Sequence, residues 1–473
     1  MKHFIQTKCR KAANELIAQY EHHTKRGSFP SFGEKEFVSL LDHYEEENNI
    51  ENALDIINQA LSQYRESGLL HLRKARLLIY IKDIDKAFES LDRAEIFGYS
   101  NFEVSLMRVR AYCYREEYKI AKELLTNLKI QCFHIPEQIS EVYNMEAFVF
   151  ERTEEYDQMF ESLKEAILEN PKNKEALGRV YLCVELSHKY QESVVLHKQV
   201  LDLEPYSFMA WFNLAHAYFA VGEYKKALDA FDYAIIVNEN FELAYLDCAE
   251  LCHSLHMWKK ALPLYLKLLE LIDADEELLC RIGECMEKLG DYEKAKVYLY
   301  RALALDPKAA DTYFLIGQCY AMQGVWESSL HFYKQAVKLD PERDDYIAAL
   351  AKNHVKLGFP TRAIPLYKKA TTIGPEIGSY WSELTQIFIS RKKISAALEL
   401  LDEAFENTYD ARLLYCQAAC QFINVDKTTA MDTLREGLLE NYHLHHLLFE
   451  ICPDLKEDKD VKAIIRYYNP EAL

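Results

Sequence analysis

The strongest constraint on this chain is a period. Sliding the stretch Phe208 to Asn240 along the sequence in 34-residue steps finds the same pattern again and again. Within it Trp211, Leu214, Ala215 and Tyr218 recur at i, i+3, i+4 and i+7, the spacing that gathers side chains on one face of an α-helix. Gly222 then admits a tight turn, and Tyr224, Ala227, Leu228, Phe231 and Ala234 restart the period on a second helix. The small residues Ala215 and Ala227 leave room for rings where the helices cross. One hairpin of this kind cannot bury both its faces, so it needs a neighbour on each side.

With Trp211 as reference, the steps fall on Tyr245, Leu279, Tyr313, Ile347 and Trp381 downstream, and on Leu177 and Tyr143 upstream. The small position four places on reads Ala249, Gly283, Gly317 and Ala351, and the Ala227 position reads Ala261, Ala295, Ser329, Ala363 and Ala397. Pro171, Pro205, Pro307, Pro341 and Pro375 close second helices. Pro263 and Pro365 lie within second helices, two residues after the signature alanine. They are expected in the first turn, where an amide has no intrahelical partner to lose.

These residues resemble the tetratricopeptide repeat, W-x2-L-G-x2-Y, then A-x3-F-x2-A, then P. The units from Phe208, Glu276 and Ala310 match closely, and those from Glu34, Gly68 and Phe102 more loosely. Four extra residues follow near Cys132 to Gln138, and the last unit, from Arg412, is one residue short. The resemblance implies an all-α fold, a right-handed superhelix of about twelve helical hairpins. The expected divisions are a basic capping helix and linker over 1–33, the repeats over 34–444 and capping helices over 445–473. The pattern is similar to stand-alone repeat proteins common in bacteria.

Composition fits one repeated array: only 14 Gly and 12 Pro in 473 residues, with no Pro/Gly/Ser-rich linker. The net charge of −19 argues against a nucleic-acid partner, whose phosphates such a surface repels. Residues 1–33 carry six cations against two carboxylates, so the rest of the chain holds −23. That basic segment is expected to cap the acidic first repeats. No apolar run is long enough for a signal peptide or a membrane span, and the 12 cysteines sit at helix positions, so the expectation is a cytoplasmic protein with no membrane partner.

The usual catalytic and nucleotide-binding signatures are absent: no G-x-G-x-x-G, P-loop lysine, nucleophile elbow or H-E-x-x-H occurs. Cys248 and Cys252 fall on core positions, whereas Cys416 and Cys420 fall on the inner face, where two thiolates make half a metal site. His443, His445 and His446 read as a solvated helix start. The expectation is no enzyme, no cofactor and no metal.

What remains is surface. In the family that the repeats resemble, the first helices line a concave groove that holds an extended peptide or partner helix. The lining positions, carried onto this sequence, are Met209, Phe212, Asn213, His216 and Phe219, then Leu246 and Glu250, then Arg281 and Glu284, then Phe314, Gln318 and Met322. Such a groove would bury apolar anchors, and its acidic rim would favour basic residues flanking them. A carboxylate clamp for a partner's C-terminus is not present: Gly178 and Leu182 stand where Lys and Asn are needed. The expected function is a non-catalytic scaffold binding a protein or peptide. A regulatory or assembly subunit of an enzyme complex is the alternative, and self-association remains open.

Overall fold

The computed structural model describes residues 16–20, 22 and 31–470. Twelve antiparallel helical hairpins follow one another, spanning 34–63, 68–96, 101–132, 136–169, 174–203, 208–237, 242–271, 276–305, 310–339, 344–373, 378–407 and 411–441. Shorter helices, His446–Ile451 and Lys459–Tyr467, come after them, and no strand occurs among the described residues. The chain divides into two units, Met1–Ala244 and Tyr245–Leu473. The division falls inside the helix Glu242–Ser254, and the 34-residue register passes through it unchanged.

Local chemistry sets the boundaries. Side chains of Ser67, Ser100, Asn173, Ser207 and Asp275 accept from backbone amides in the first turns of the helices they precede, satisfying donors that have no intrahelical partner. Each first helix ends on a left-handed residue. At Gly222, φ is 80°, and the next amide, of Glu223, returns to Tyr218 O at 2.9 Å. Each closing proline lies two residues past the last helical residue, and Asn170, before Pro171, takes extended backbone at φ −137° and ψ 92°.

The four extra residues of the fourth repeat become one more turn of its first helix, Pro136–Arg152, with Pro136 at the start. The internal prolines depart from expectation. Their helices begin at Trp258 and Pro360, so Pro263 and Pro365 are the sixth helical residues. Each therefore removes a true intrahelical bond, because the signature alanine before it already donates to the turn behind: Ala261 N meets Met257 O at 3.0 Å.

Within each unit, a first helix packs on its own second helix and on the first helix of the next hairpin. Ala227, Ala261, Ala295, Ala363 and Ala397 are completely buried at these crossings. In the first unit, Phe37, Leu40, Ile56 and Ile57 form a core that Tyr20 also joins, its phenol accepting from Gln59 Nε2 at 3.2 Å. Leu16 and Ile17 of the predicted basic N-terminal helix pack on the same core, and its residues 1–15 lie outside the described residues. In the second unit, Val461, Ile464 and Ile465 of the last helix cover Tyr415, Leu434 and Leu438 of the twelfth hairpin.

Candidate functional site

In the first unit the expected groove residues fall on the helix Phe208–Ala220, and the structure divides them. Phe219 is exposed and Met209 half-buried, with its Cε over Gly178. Phe212 is buried, at 8% exposure, among the rings of Phe241 at 5.0 Å, Phe231 at 5.9 Å and Tyr181 at 6.2 Å. Asn213 is buried too, its Nδ2 donating to Leu177 O of the preceding hairpin at 2.8 Å. The two corrections share a physical root: groups of adjoining segments, rings at Phe212 and a backbone carbonyl at Asn213, occupy positions that a single-hairpin pattern leaves open. His216 sits against Tyr181 and Phe212, each at 4.5 Å.

Trp211, expected in the core, is instead only half-buried. Its indole stacks on Tyr233 at 4.6 Å, and Nε1 donates to Pro205 O at 2.9 Å.

In the second unit the expected residues converge better. Leu246 is exposed, while Glu250, Arg281, Glu284, Phe314 and Gln318 are half-buried. Arg281 lies between three carboxylates: Glu250 at 3.3 Å, Glu284 at 3.7 Å and Glu277 at 3.9 Å. Glu250 accepts from the Tyr265 phenol at 2.6 Å, and Glu284 from His253 Nε2 at 2.9 Å. Burial works to raise the Glu284 pKa, but the His253 hydrogen bond and Arg281 outweigh it and hold the group below its ordinary value.

Of these, Arg281, Glu284, Phe314 and Gln318 border a cavity of about 460 Å³ on the eighth, ninth and tenth hairpins. Its wall carries Glu276, Glu277, Glu284, Asp311 and Asp345 against Arg281, Lys288 and Arg343, so carboxylates exceed cations five to three. Arg343 is engaged by Asp345 at 2.9 Å, and Asp311 accepts from the Tyr346 phenol. Phe314 stacks on Tyr346 at 4.7 Å. Gln318 belongs both to this wall and to a second pocket of about 300 Å³, lined by Met322, Trp326, Tyr333 and Asn353 among others. An acidic hollow and a largely apolar one therefore adjoin at a single side chain.

The sequence singled out Gln318 and Met322 here but missed Arg343, Asp345, Trp326 and Asn353. Asn353 stands six places after Ile347, between the positions that the repeat pattern assigns to the groove. A further cavity of about 630 Å³ on the second to fifth hairpins, bordered by Arg76, Arg110 and Glu141, was also missed, because those repeats match the pattern loosely.

Nothing in the cysteine and histidine clusters gathers ligands. Cys416 and Cys420 are completely buried, and burial pushes both thiols up to about 12. His445 and His446 each bond a backbone carbonyl through Nδ1, at 2.7 and 2.9 Å. Among the described residues no group of three metal-ligating side chains occurs, and no helix is long and apolar enough to cross a membrane.

Stacked helical hairpins on a 34-residue register define a helical-repeat protein. Models of the tetratricopeptide repeat match residues 208–241 and 275–342, and the same hairpin recurs across the described chain: this is a multi-repeat tetratricopeptide protein. Proteins of this kind are generally non-catalytic interaction scaffolds. No curated protein sequence matches. Among solved structures, YrrB, a repeat protein with an unusual peptide-binding site, is 21% identical, covers 39% of this chain and 95% of its own, and gives a TM-score of 0.33. The Cut9–Hcn1 assembly of the APC/C is 12% identical over 92% of this chain and 94% of that one, at a TM-score of 0.38. A tetratricopeptide repeat protein from Parabacteroides merdae is 18% identical over 53% and 99%, at 0.36. Likenesses this distant carry no inference about partner or mechanism.

Proposed function

We propose that this chain is a protein-binding scaffold whose second unit receives a partner segment combining cationic and apolar side chains. The observation that carries the reading is the meeting of the carboxylate-rich cavity and the apolar pocket at Gln318. A cation entering the first hollow meets Glu277 and Asp345 at its rim, while an apolar side chain in the second leaves water for Met322 and Trp326. Arg281, already ringed by carboxylates, leaves that wall a net acceptor of positive charge.

Peptide display on the immobilised full chain tests this. Selected sequences should pair Lys or Arg with a large aliphatic or aromatic residue. Glu277→Lys and Met322→Asp alter exposed side chains, so the fold should survive both. Each should weaken the selected peptides about tenfold, the equivalent of roughly 1.4 kcal/mol. Selection of no common pattern, or equal binding by both variants, overturns the reading.

A further inference from the structure

The capping segment builds a cavity that the repeats alone do not. The helix His446–Ile451 packs across the first helices of the eleventh and twelfth hairpins, Gly378–Ser390 and Ala411–Ile423. Between them lies a hollow of about 480 Å³, within the range of roughly 300–1,000 Å³ that small ligands occupy. Ile389, Ile394, Ile423 and Ile451 make its apolar wall. Both neutral polar side chains there are already engaged: Gln386 Nε2 donates to Ser382 Oγ at 3.3 Å, and Ser390 Oγ to Ile387 O at 2.8 Å. A peptide strand buried here would leave its own N–H and C=O groups without partners, a penalty that a hydrocarbon does not carry.

The mouth of the cavity has a sign. Arg391, Lys392 and Lys393 follow one another at the turn of the eleventh hairpin; all three are exposed, and none pairs with a described carboxylate. In a chain of net charge −19 they make a local reversal of charge. Arg391 Nη1 is engaged by Thr361 Oγ1 at 3.1 Å, and Lys392 itself borders the cavity. Glu450 borders it too, outnumbered by the three cations. An apolar interior behind a cationic mouth matches a hydrocarbon tail with an anionic head. We infer that this cavity binds a single-chain amphiphile of the long-chain carboxylate class, its alkyl chain among the four isoleucines and its head beside Lys392. The site is separate from the hollows that meet at Gln318, and neither reading depends on the other.

The probes are octanoate, decanoate and dodecanoate, each below its micellar concentration, titrated into the full chain by isothermal calorimetry. Each added CH₂ should tighten binding about fourfold until the cavity is full, the equivalent of about 0.8 kcal/mol. Dodecyltrimethylammonium, with the same tail and the opposite head, should bind about tenfold more weakly than dodecanoate. Ile423→Asp sets a carboxylate on the wall at a residue already 42% exposed, so the fold should persist while dodecanoate binding falls by about tenfold or more. Lys392→Gly removes the cation at a left-handed residue, φ 58°, where glycine is at ease. It should weaken dodecanoate about threefold, as loss of an exposed charge pair, without lowering the melting temperature. Equal binding of the two head groups, indifference to chain length, or undiminished binding by either variant overturns the inference. Two other occupants would overturn it as well. Co-sedimentation with phosphatidylglycerol vesicles, without uptake of the free carboxylates, would make the turn a bilayer-docking surface. A dimer that Ile423→Asp dissociates would put a second copy of the chain in the cavity.

Discussion

At the scale of single residues, burial decides more than residue type. His197 is completely buried; its Nδ1 donates to Ser193 O at 2.8 Å, and Nε2 has no partner. Burial pulls its pKa from 6.5 to about 4. The unfolded chain therefore takes up this proton first: the contribution is whole above pH 6.5, falls as pH drops through the window to 4, and is flat below it. The shift corresponds to about 3 kcal/mol. His71 and His354 are lowered as well, chiefly by burial, and add in the same direction. Urea midpoints at pH 7 and pH 4 should differ less in His197→Leu than in the natural protein, and an unchanged difference would refute the assignment. The two tryptophans of the reference position make a second contrast. Trp381 is 3% exposed and Trp211 half-buried, though both bond a proline carbonyl six residues back. Trp381→Ala should therefore cost about 3–5 kcal/mol and Trp211→Ala distinctly less, so equal losses in paired denaturation curves would contradict the burial seen here.

At the scale of the element, the hairpin turn shows how a repeat tolerates poor residues. Every hairpin turns on a residue with positive φ, yet only Gly222, Gly290, Gly324 and Gly358 are glycine there. Val425 fills the position in the last hairpin at φ 63°, where a β-branched side chain is disfavoured, and it is 88% exposed. Val425→Gly should raise stability by about 1 kcal/mol, as relief of left-handed strain without loss of packing; an unchanged or lower melting temperature would count against strain at this turn. Hairpin boundaries, small crossing residues and closing prolines were all legible in the sequence, because each depends on one hairpin's own spacing. The candidate site was only partly so. Phe212 was misread because Phe241 and Tyr181, which cover it, belong to other segments, and Pro263 because the signature alanine is already the fourth helical residue, which puts a proline two places on beyond the first turn. Asn353 carries no sequence signal at all. An asparagine on an apolar helix face looks the same whether its amide is bonded or bare.

At the scale of the molecule, a chain of hairpins that touch mainly their neighbours should respond locally to damage. Sequence-adjacent helices supply the recurrent contacts within each unit, so stability is close to a sum of hairpin and nearest-interface contributions. Trp381 lies in the eleventh hairpin, in a core shared with Ile347, Tyr367, Leu401 and Leu413 of the tenth to twelfth. Cutting it back to alanine should loosen those three hairpins while leaving the first unit's opening free energies unchanged. Native-state hydrogen exchange reads this directly. Amides of 344–441 should exchange faster by a large factor, those of 34–203 at their original rate. A uniform acceleration along the chain would mean that all twelve hairpins unfold as one cooperative body. In that case a partner seated between the eighth and tenth hairpins would stabilise the whole molecule, whereas local coupling confines its protection to the hairpins it touches and those beside them.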